Sequence, residues 1–169
     1  LIETHVRQEP EPDLPADLQP APVVPAQPET PDQQRLREQA AGIGGELIAA
    51  GKVAAFVVAG GQGTRLGYEG PKGCFEATPV TRKPLFQVFA EQILAAAERA
   101  GQAICWYVMT SPANDVDTRA FFRRHRFFGL DEKDVFFFVQ GTMPAIGRDG
   151  KILLADKHRL ALSPDGHGG

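Results

Sequence analysis

Cysteine and histidine are scarce in this chain, with two of the former and four of the latter among 169 residues. Cys74 and Cys105 lack the close spacing of metal ligands and make a poor disulfide framework, so a reducing cytoplasm is the expected setting. The histidines show no zinc-binding pattern. No segment reads as a transmembrane span or a signal peptide. Charge of one sign is also missing. A formal net charge of -3 with a pI near 5.8 gives no global attraction to nucleic acid or acidic membranes, so neither is an expected partner and any cationic work must be local. Neither Ser111 nor Ser163 has the context of a nucleophile elbow, which leaves hydrolase chemistry without support. No internal repeat is evident. The apolar fraction is ordinary and the length suits one domain with a core.

The densest chemistry follows Val53 to Ala59, an unbroken apolar run of the length of one buried parallel strand. It leads into Gly60-Gly61-Gln62-Gly63-Thr64-Arg65-Leu66-Gly67 and then Pro71-Lys72-Gly73. Gly60, Gly61 and Gly63 remove the Cβ atoms that would hold a ligand off the backbone. They can also adopt positive φ, so that several main-chain N–H groups point at one anion. Thr64 adds a hydroxyl, while Arg65 and Lys72 add positive charge, a combination suited to a triphosphate. A Gly-Gly pair taken alone would suggest only a turn. Walker spacing is absent, and Leu66 stands where a dinucleotide fingerprint needs its third glycine. The next plausible strand, Ile104 to Thr110, starts too far downstream for a compact cofactor unit of roughly 30 residues. A nicotinamide-dependent oxidoreductase is therefore the lesser fit.

Residues 1–50 read as a proline-rich arm followed by a helix. Composition from Glu9 to Pro31 suggests a disordered linker, yet Pro22-Val23-Val24-Pro25 offers apolar groups that an extended strip could bury. A helix is expected from Asp32 to Ala50, interrupted near Gly42 and Gly44-Gly45. Pro84 can open a second helix whose Phe86, Phe89, Ala90, Ile93, Leu94 and Ala97 form one core-facing stripe, stopped by Gly101. Ile104 to Met109 reads as a buried strand. Asn114 can cap a third helix that runs to about Arg124, with Asp117 near its positive end. Val135 to Val139 gives a third strand, and Lys151 to Leu154 begins a fourth after a turn at Asp149-Gly150. This rhythm predicts an α/β fold, a mainly parallel sheet with helices on both faces. Ligands then gather at the carboxyl ends of the strands, in the loops Gly60 to Lys72, Thr110 to Asn114 and Gln140 to Pro144.

The cluster from Phe121 to Phe128 mixes aromatics with cations, as a nucleic-acid surface does. Packing explains it better, with the phenylalanines inward and Arg123, Arg124 and Arg126 facing water. Gln140 ends the aromatic strand Phe136-Phe137-Phe138-Val139, and its amide can both donate and accept, which suits a pyrimidine edge and equally the capping of a strand end. Pro164-Asp165-Gly166-His167-Gly168-Gly169 has more glycine than a hairpin turn requires.

Six motifs in order resemble those of the eukaryotic-type UDP-sugar pyrophosphorylase family, most closely its N-acetylglucosamine branch. They are the loop Ala59 to Gly67, Pro71-Lys72-Gly73, Trp106-Tyr107-Val108-Met109-Thr110-Ser111, Phe127-Phe128-Gly129-Leu130, Gln140-Gly141-Thr142-Met143-Pro144-Ala145, and the loop Pro164 to Gly169. The resemblance covers about Gly51 to Gly169 and implies that residues 51–169 are the first part of a Rossmann-like, glycosyltransferase-A-like nucleotidyltransferase domain. It implies a reaction in which a sugar 1-phosphate attacks the α-phosphorus of UTP, with Mg²⁺ as cofactor. Main-chain atoms of Ala59, Gly60 and Gly61 would meet the uracil, with Gln140 and Gly166 completing base recognition and Met109 close by. Gly63 and Thr64 would lie in the same nucleotide loop. Arg65 would sit against the departing phosphates, and Lys72 would bridge nucleotide and sugar phosphate oxygens.

His167 departs from the family by standing where an asparagine approaches the sugar. In the family, the metal-binding aspartate and most of the sugar pocket lie beyond this region. The chain opens on leucine and breaks off in a loop, so it reads as a fragment expected to be inactive alone. The family also implies that the proline-rich arm is extended and packed. A uridine-nucleotide-binding module without catalysis is the remaining alternative.

Overall fold

The computed structural model of the protein describes residue 15 and residues 17–166. Internal contacts separate these into two units. One holds the residues up to Arg37 with Thr142–Ser163, and the other holds Glu38–Gly141 with the residues from Pro164.

In the second unit, β1 (Ala54–Val58), β2 (Cys105–Thr110) and β3 (Val135–Val139) form a parallel sheet in that order. Val57 pairs with Val108, and Val108 with Phe137, so Ala55, Val57, Trp106, Val108, Val135 and Phe137 share one face. Two helices, α2 (Leu85–Ala100) and α3 (Asp115–Arg124), close over it. Phe86, Ala90 and Ile93 of the expected stripe are buried, and Gly101 ends α2 in the left-handed region with φ 64°. The Phe122 ring sits 4.9 Å from Phe86, 5.3 Å from Trp106 and 4.9 Å from Phe137. Burying side chains of this size stabilises the unit by about 1.5–3 kcal/mol each.

Helices on both faces are not what the described residues show, because α2 and α3 share one face. Strand order is the physical reason. Two right-handed crossovers that step in the same direction along a sheet put both helices on the same side. The other face carries Phe56 and Phe138, 57% and 42% exposed. Its rings stack in pairs, Phe56 on Phe138 at 6.0 Å and Tyr107 on Phe136 at 5.1 Å.

After α3 the chain turns through Arg126, Phe127 and Phe128 at φ 51°, 52° and 56°. Left-handed backbone costs a non-glycine residue roughly 1–2 kcal/mol. Burial of Phe127 and the edge-on contacts of both rings with Phe122 offset that cost. Arg123, Arg124 and Arg126 are exposed, as the packing explanation of this cluster requires.

The first helix, α1 (Pro31–Ala49), is continuous, without the interruption expected at Gly42 and Gly44-Gly45. Glycine weakens a helix by about 1 kcal/mol but keeps its N–H, so the hydrogen-bond ladder survives. A capping box starts the helix, with Gln33 N donating to Thr30 Oγ1 and Thr30 N donating to Gln33 Oε1. Pro31 occupies the first helical position that favours proline.

In the arm before α1, Val23 and Val24 are 86% and 85% exposed, while Pro25 and Pro28 are half-buried and Arg37 Nη1 donates to Ala26 O. Residues 9–14 and 16 of that stretch lie outside the described residues. The first unit also carries β4 (Thr142–Pro144), which pairs with β7 (Leu162–Pro164), and β5 (Leu154–Asp156), antiparallel to β6 (Arg159–Leu160). The turn at Asp149-Gly150 forms, with Gly150 at φ 77°. The strand expected from Lys151 begins only at Leu154, since Gly147 N donates to Lys151 O and Ile152 bridges Ile146 within the turn's own hairpin.

Candidate functional site

Parallel pairing brings the ends of β1, β2 and β3 to one edge of the sheet, so the three loops singled out from the sequence leave from the same edge. At the end of β1, Ala59 N donates to Met109 O at 2.7 Å. The glycine loop then doubles back as a narrow hairpin. Gly63 N donates to Gly70 O and Lys72 N to Gly61 O, with Gln62 opposite Pro71. A single 3-10 turn, Thr64–Leu66, projects from its tip and ends at Gly67 with φ 68°.

Within this loop positive φ is found at Gly67 and Gly70, whereas Gly60, Gly61 and Gly63 do not use their freedom to adopt it. The earlier glycines answer to space instead. A Cβ at Gly63 would lie 2.8 Å from the Tyr68 ring, and one at Gly60 would lie 3.0 Å from Gln140 Oε1. Gly61 is more open, with the Lys72 ammonium 3.8 Å from its Cβ position. The hairpin therefore folds Lys72 back over the glycines it trails in sequence. Gly73 beside it has its Cβ position filled by the Phe86 ring, which ties the lysine to the core.

Lys72, Arg65 and Thr64 are exposed, and neither cation has an ion-pair partner among the described residues. Met109 is buried, with its carbonyl committed to Ala59 N. Gln140 N donates to Thr110 O at 2.9 Å, and its side chain lies against Gly60. Gly166, at φ 87°, follows Asp165, whose N donates to Gly141 O at 3.2 Å. That contact places Gly166 near Gln140. His167 lies outside the described residues.

Asn114 is the residue whose part in this edge sequence reasoning missed. It stands at the start of α3, but its side chain caps nothing there. Its Oδ1 accepts from Ser111 N at 2.9 Å, and its Nδ2 donates to Ala59 O at 2.9 Å and Gly61 O at 3.3 Å. Those last partners are over fifty residues away in sequence, which is why no local signal reveals them. Nearby, Thr110 Oγ1 donates to Asp115 Oδ1 at 2.6 Å, and Arg119 Nε donates to Asp115 Oδ2 at 2.8 Å while its guanidinium lies 5.0 Å over the Phe137 ring. Burial pushes the Asp115 carboxyl up, but the hydrogen bonds from Arg119 and Thr110 outweigh it and hold the group below its ordinary value.

A recess of about 80 Å³ borders the loop, lined by Ala59, Gly61, Lys72, Gly73, Leu85 and Phe86. A larger recess of about 380 Å³ lies beside Ile48, Phe56, Phe89 and Trp106. Its lining holds no charged side chain, so a phosphorylated ligand fits the loop better. Among the described residues, no three His, Cys, Asp or Glu side chains converge in a way that could hold a metal ion. No described helix is long and apolar enough to cross a membrane. Cys74 and Cys105 are both free thiols.

Residues 18–169 match the family model described as UTP–glucose-1-phosphate uridylyltransferase. The chain is 42% identical over 137 residues to UDP-N-acetylglucosamine diphosphorylase 1 of Arabidopsis thaliana, an alignment that takes in 75% of this chain and 27% of that protein. It is 41% identical over 169 residues to human UDP-N-acetylhexosamine pyrophosphorylase-like protein 1, taking in 95% of this chain and 33% of that one. A crystal structure of a putative UDP-N-acetylglucosamine pyrophosphorylase from Entamoeba histolytica superposes with a TM-score of 0.74 at 33% identity, over 89% of this chain and 38% of that one. The chain thus spans about a third or less of the length of these curated relatives.

Proposed function

This chain belongs to the UTP–glucose-1-phosphate uridylyltransferase family, and on that footing we propose that the protein carrying it joins UTP to a sugar 1-phosphate, releasing pyrophosphate and leaving a UDP-sugar. Its parallel sheet is part of a Rossmann-like nucleotidyltransferase fold. Residues from 51 onward are proposed as the first part of the catalytic domain. The names of the relatives favour N-acetylglucosamine 1-phosphate as the sugar substrate.

The observation that carries the proposal is the meeting of Lys72, Gly61, Gly60 and the Gln140 amide at one edge of the sheet. Nucleotidyl transfer needs little covalent help from a protein. It depends on in-line positioning and on neutralising charge as it shifts among phosphate oxygens. In this reading Gln140 addresses the uracil edge, together with the main chain at Ala59, Gly60, Gly61 and Gly166. The hydroxyl of Thr64 helps hold the phosphates, and Gly63, whose N–H is committed to Gly70 O, contributes by shaping the loop. Lys72 draws the α-phosphate and the incoming sugar phosphate together, and Arg65 offsets the charge on departing pyrophosphate. The Ala59 N–H and carbonyl are committed to Met109 O and Asn114, so at Ala59 the uracil would pack against the backbone, with hydrogen bonds left to the neighbouring main chain.

Mg²⁺ enters this proposal through the family resemblance. When bound it would assist the departure of pyrophosphate. The described residues supply no ligand set for it, and the roles given to Lys72 and Arg65 do not depend on one. A reducing, cytoplasmic setting belongs to the same proposal and is supported by the two free thiols.

Pyrophosphate release by the full-length protein with Mg²⁺, UTP and a panel of N-acetylglucosamine, N-acetylgalactosamine, glucose and galactose 1-phosphates tests the reading. Release with N-acetylglucosamine 1-phosphate is expected. UTP binding with no release across the panel would leave a nucleotide-binding module instead, and a preference for NAD(P) over UTP would overturn both.

A further inference from the structure

Asn114 has 1% of its surface exposed and is committed on three sides. Both protons of its amide go to backbone carbonyls of the glycine loop, and its oxygen holds the amide of Ser111 at the end of β2. The side chain is thus a tie between the loop after β1 and the loop after β2, placed behind the glycines.

The tie has a consequence for the other side of the loop. In a trans peptide the C=O and the following N–H point in opposite directions, and no described peptide bond is cis. Drawing Ala59 O toward Asn114 therefore aims the Gly60 N–H away from it. Drawing Gly61 O the same way aims the Gln62 N–H away as well. Among the described residues no acceptor takes either of these N–H groups, and Lys72 lies over the Gly61 position between them. Outward-facing backbone N–H groups of this kind form a concave donor surface for a negatively polarised ligand oxygen.

We propose that Asn114 is a positioning residue for the nucleotide: by holding the Ala59 and Gly61 carbonyls it presents the Gly60 and Gln62 amides to UTP. The UTP part rests on the function proposed above, whereas the holding of the loop does not. Asn114 touches no substrate. Its effect falls on affinity for one substrate and on the order of one loop.

Asn114→Asp and Asn114→Ala in the full-length protein test this. Aspartate keeps the shape and the acceptor for Ser111 N but removes both donors and sets a charge against two carbonyls, so it is the more damaging change. KM for UTP is expected to rise about tenfold or more, as when a buried donor pair is lost. KM for the sugar 1-phosphate should stay within about twofold of wild type, a split that general loss of structure would not give. Without any nucleotide, exchange of the hydrogen-bonded amides of the loop hairpin, Gly63 and Lys72, should speed up about tenfold while the β2 amides stay protected. Unchanged UTP KM in both variants, or unchanged exchange in the loop, would overturn the inference.

The wild-type protein supplies a readout should the variants not fold. On addition of UTP, the NMR signals of the Gly60 and Gln62 amides should move more than those of β2, and UTP binding with both signals still would overturn the inference. Failure of wild type to bind UTP at all would instead sink the function proposed above. The exchange measurement would then decide whether Asn114 holds the loop.

Discussion

On the helix-covered face of the sheet the buried side chains are Trp106, Val108, Phe86 and Phe122. At the carboxyl edge, from the last residue of β2 to the start of α3, they are Thr110, Ser111 and Asn114. The covered face is held by apolar burial, which has no direction and tolerates any close-packed arrangement of similar volume. The edge is held by hydrogen bonds, which fix direction within narrow limits and reach between loops far apart in sequence. The difference separates what keeps this domain folded from what aims its polar groups at a ligand.

Trp106→Ala should produce the largest effect, a loss of about 3–5 kcal/mol of stability from a cavity among packed rings. Tyr107→Ala, the next residue on the same strand but on the open face, should cost about 1 kcal/mol or less, the scale of one cross-strand pair. Denaturant midpoints compare the two, and equal losses would erase the distinction between the faces. At the edge the expectation reverses. Lys72→Ala should lower turnover about 10²–10³-fold, the scale for removing one preorganised charge stabiliser, with the denaturant midpoint unmoved because the side chain is exposed. Arg65→Ala should behave the same way, and near-normal turnover in either variant would remove its assignment.

Gly73→Ala probes the junction of the two regions. The Phe86 ring occupies the place of the new methyl, so overpacking should cost about 1–3 kcal/mol and displace Lys72. A fall in both stability and turnover is expected, whereas full activity would show that the lysine is not held by the core.

Smaller effects follow from the titrating groups. Asp115 has its folded pKa held below the ordinary carboxylate value of 3.8. Its ionised form therefore contributes stability that is present above that value and lost as pH falls through the lower folded one. Wild type should exceed Asp115→Asn near neutrality and converge with it in acid, as pH-dependent denaturant titration would show. A constant difference at all pH values would mean the carboxylate acts by shape alone. Burial pushes the Cys74 thiol up to about 12, so it should resist alkylation at neutral pH until the protein unfolds. Labelling of the native protein at Cys74 would contradict that packing.

Elements with a local signal were legible beforehand. The stripe of α2 is carried by spacing within one helix, and its end by Gly101. Each of the three sheet strands lies within an apolar run and deviates by no more than a residue or so at its ends. Lys72 and Gln140 were candidates from charge and position, and both come to Gly60 and Gly61. Misreadings occurred where the cause was distant or unmarked. Asn114 looked like a cap because its neighbours suit one, while the carbonyls that claim it arrive from the loop after β1. The glycines of α1 suggest breaks by propensity, but they keep their N–H groups in the ladder, and the Thr30–Gln33 capping box fixes the helix start.

What the sequence determined by itself is the set of elements and the chemistry of the edge. Apolar periodicity, the glycine loop and its trailing lysine are written within short windows, and the ordered motifs carry the family. Tertiary structure decided which face the helices cover, why Gly60, Gly63 and Gly73 are needed and where the Asn114 amide goes. Those outcomes depend on strand order, on a ring or side chain filling the space of a missing Cβ, and on bonds across more than fifty residues. No local pattern encodes them, because each exists only once distant segments share the same space.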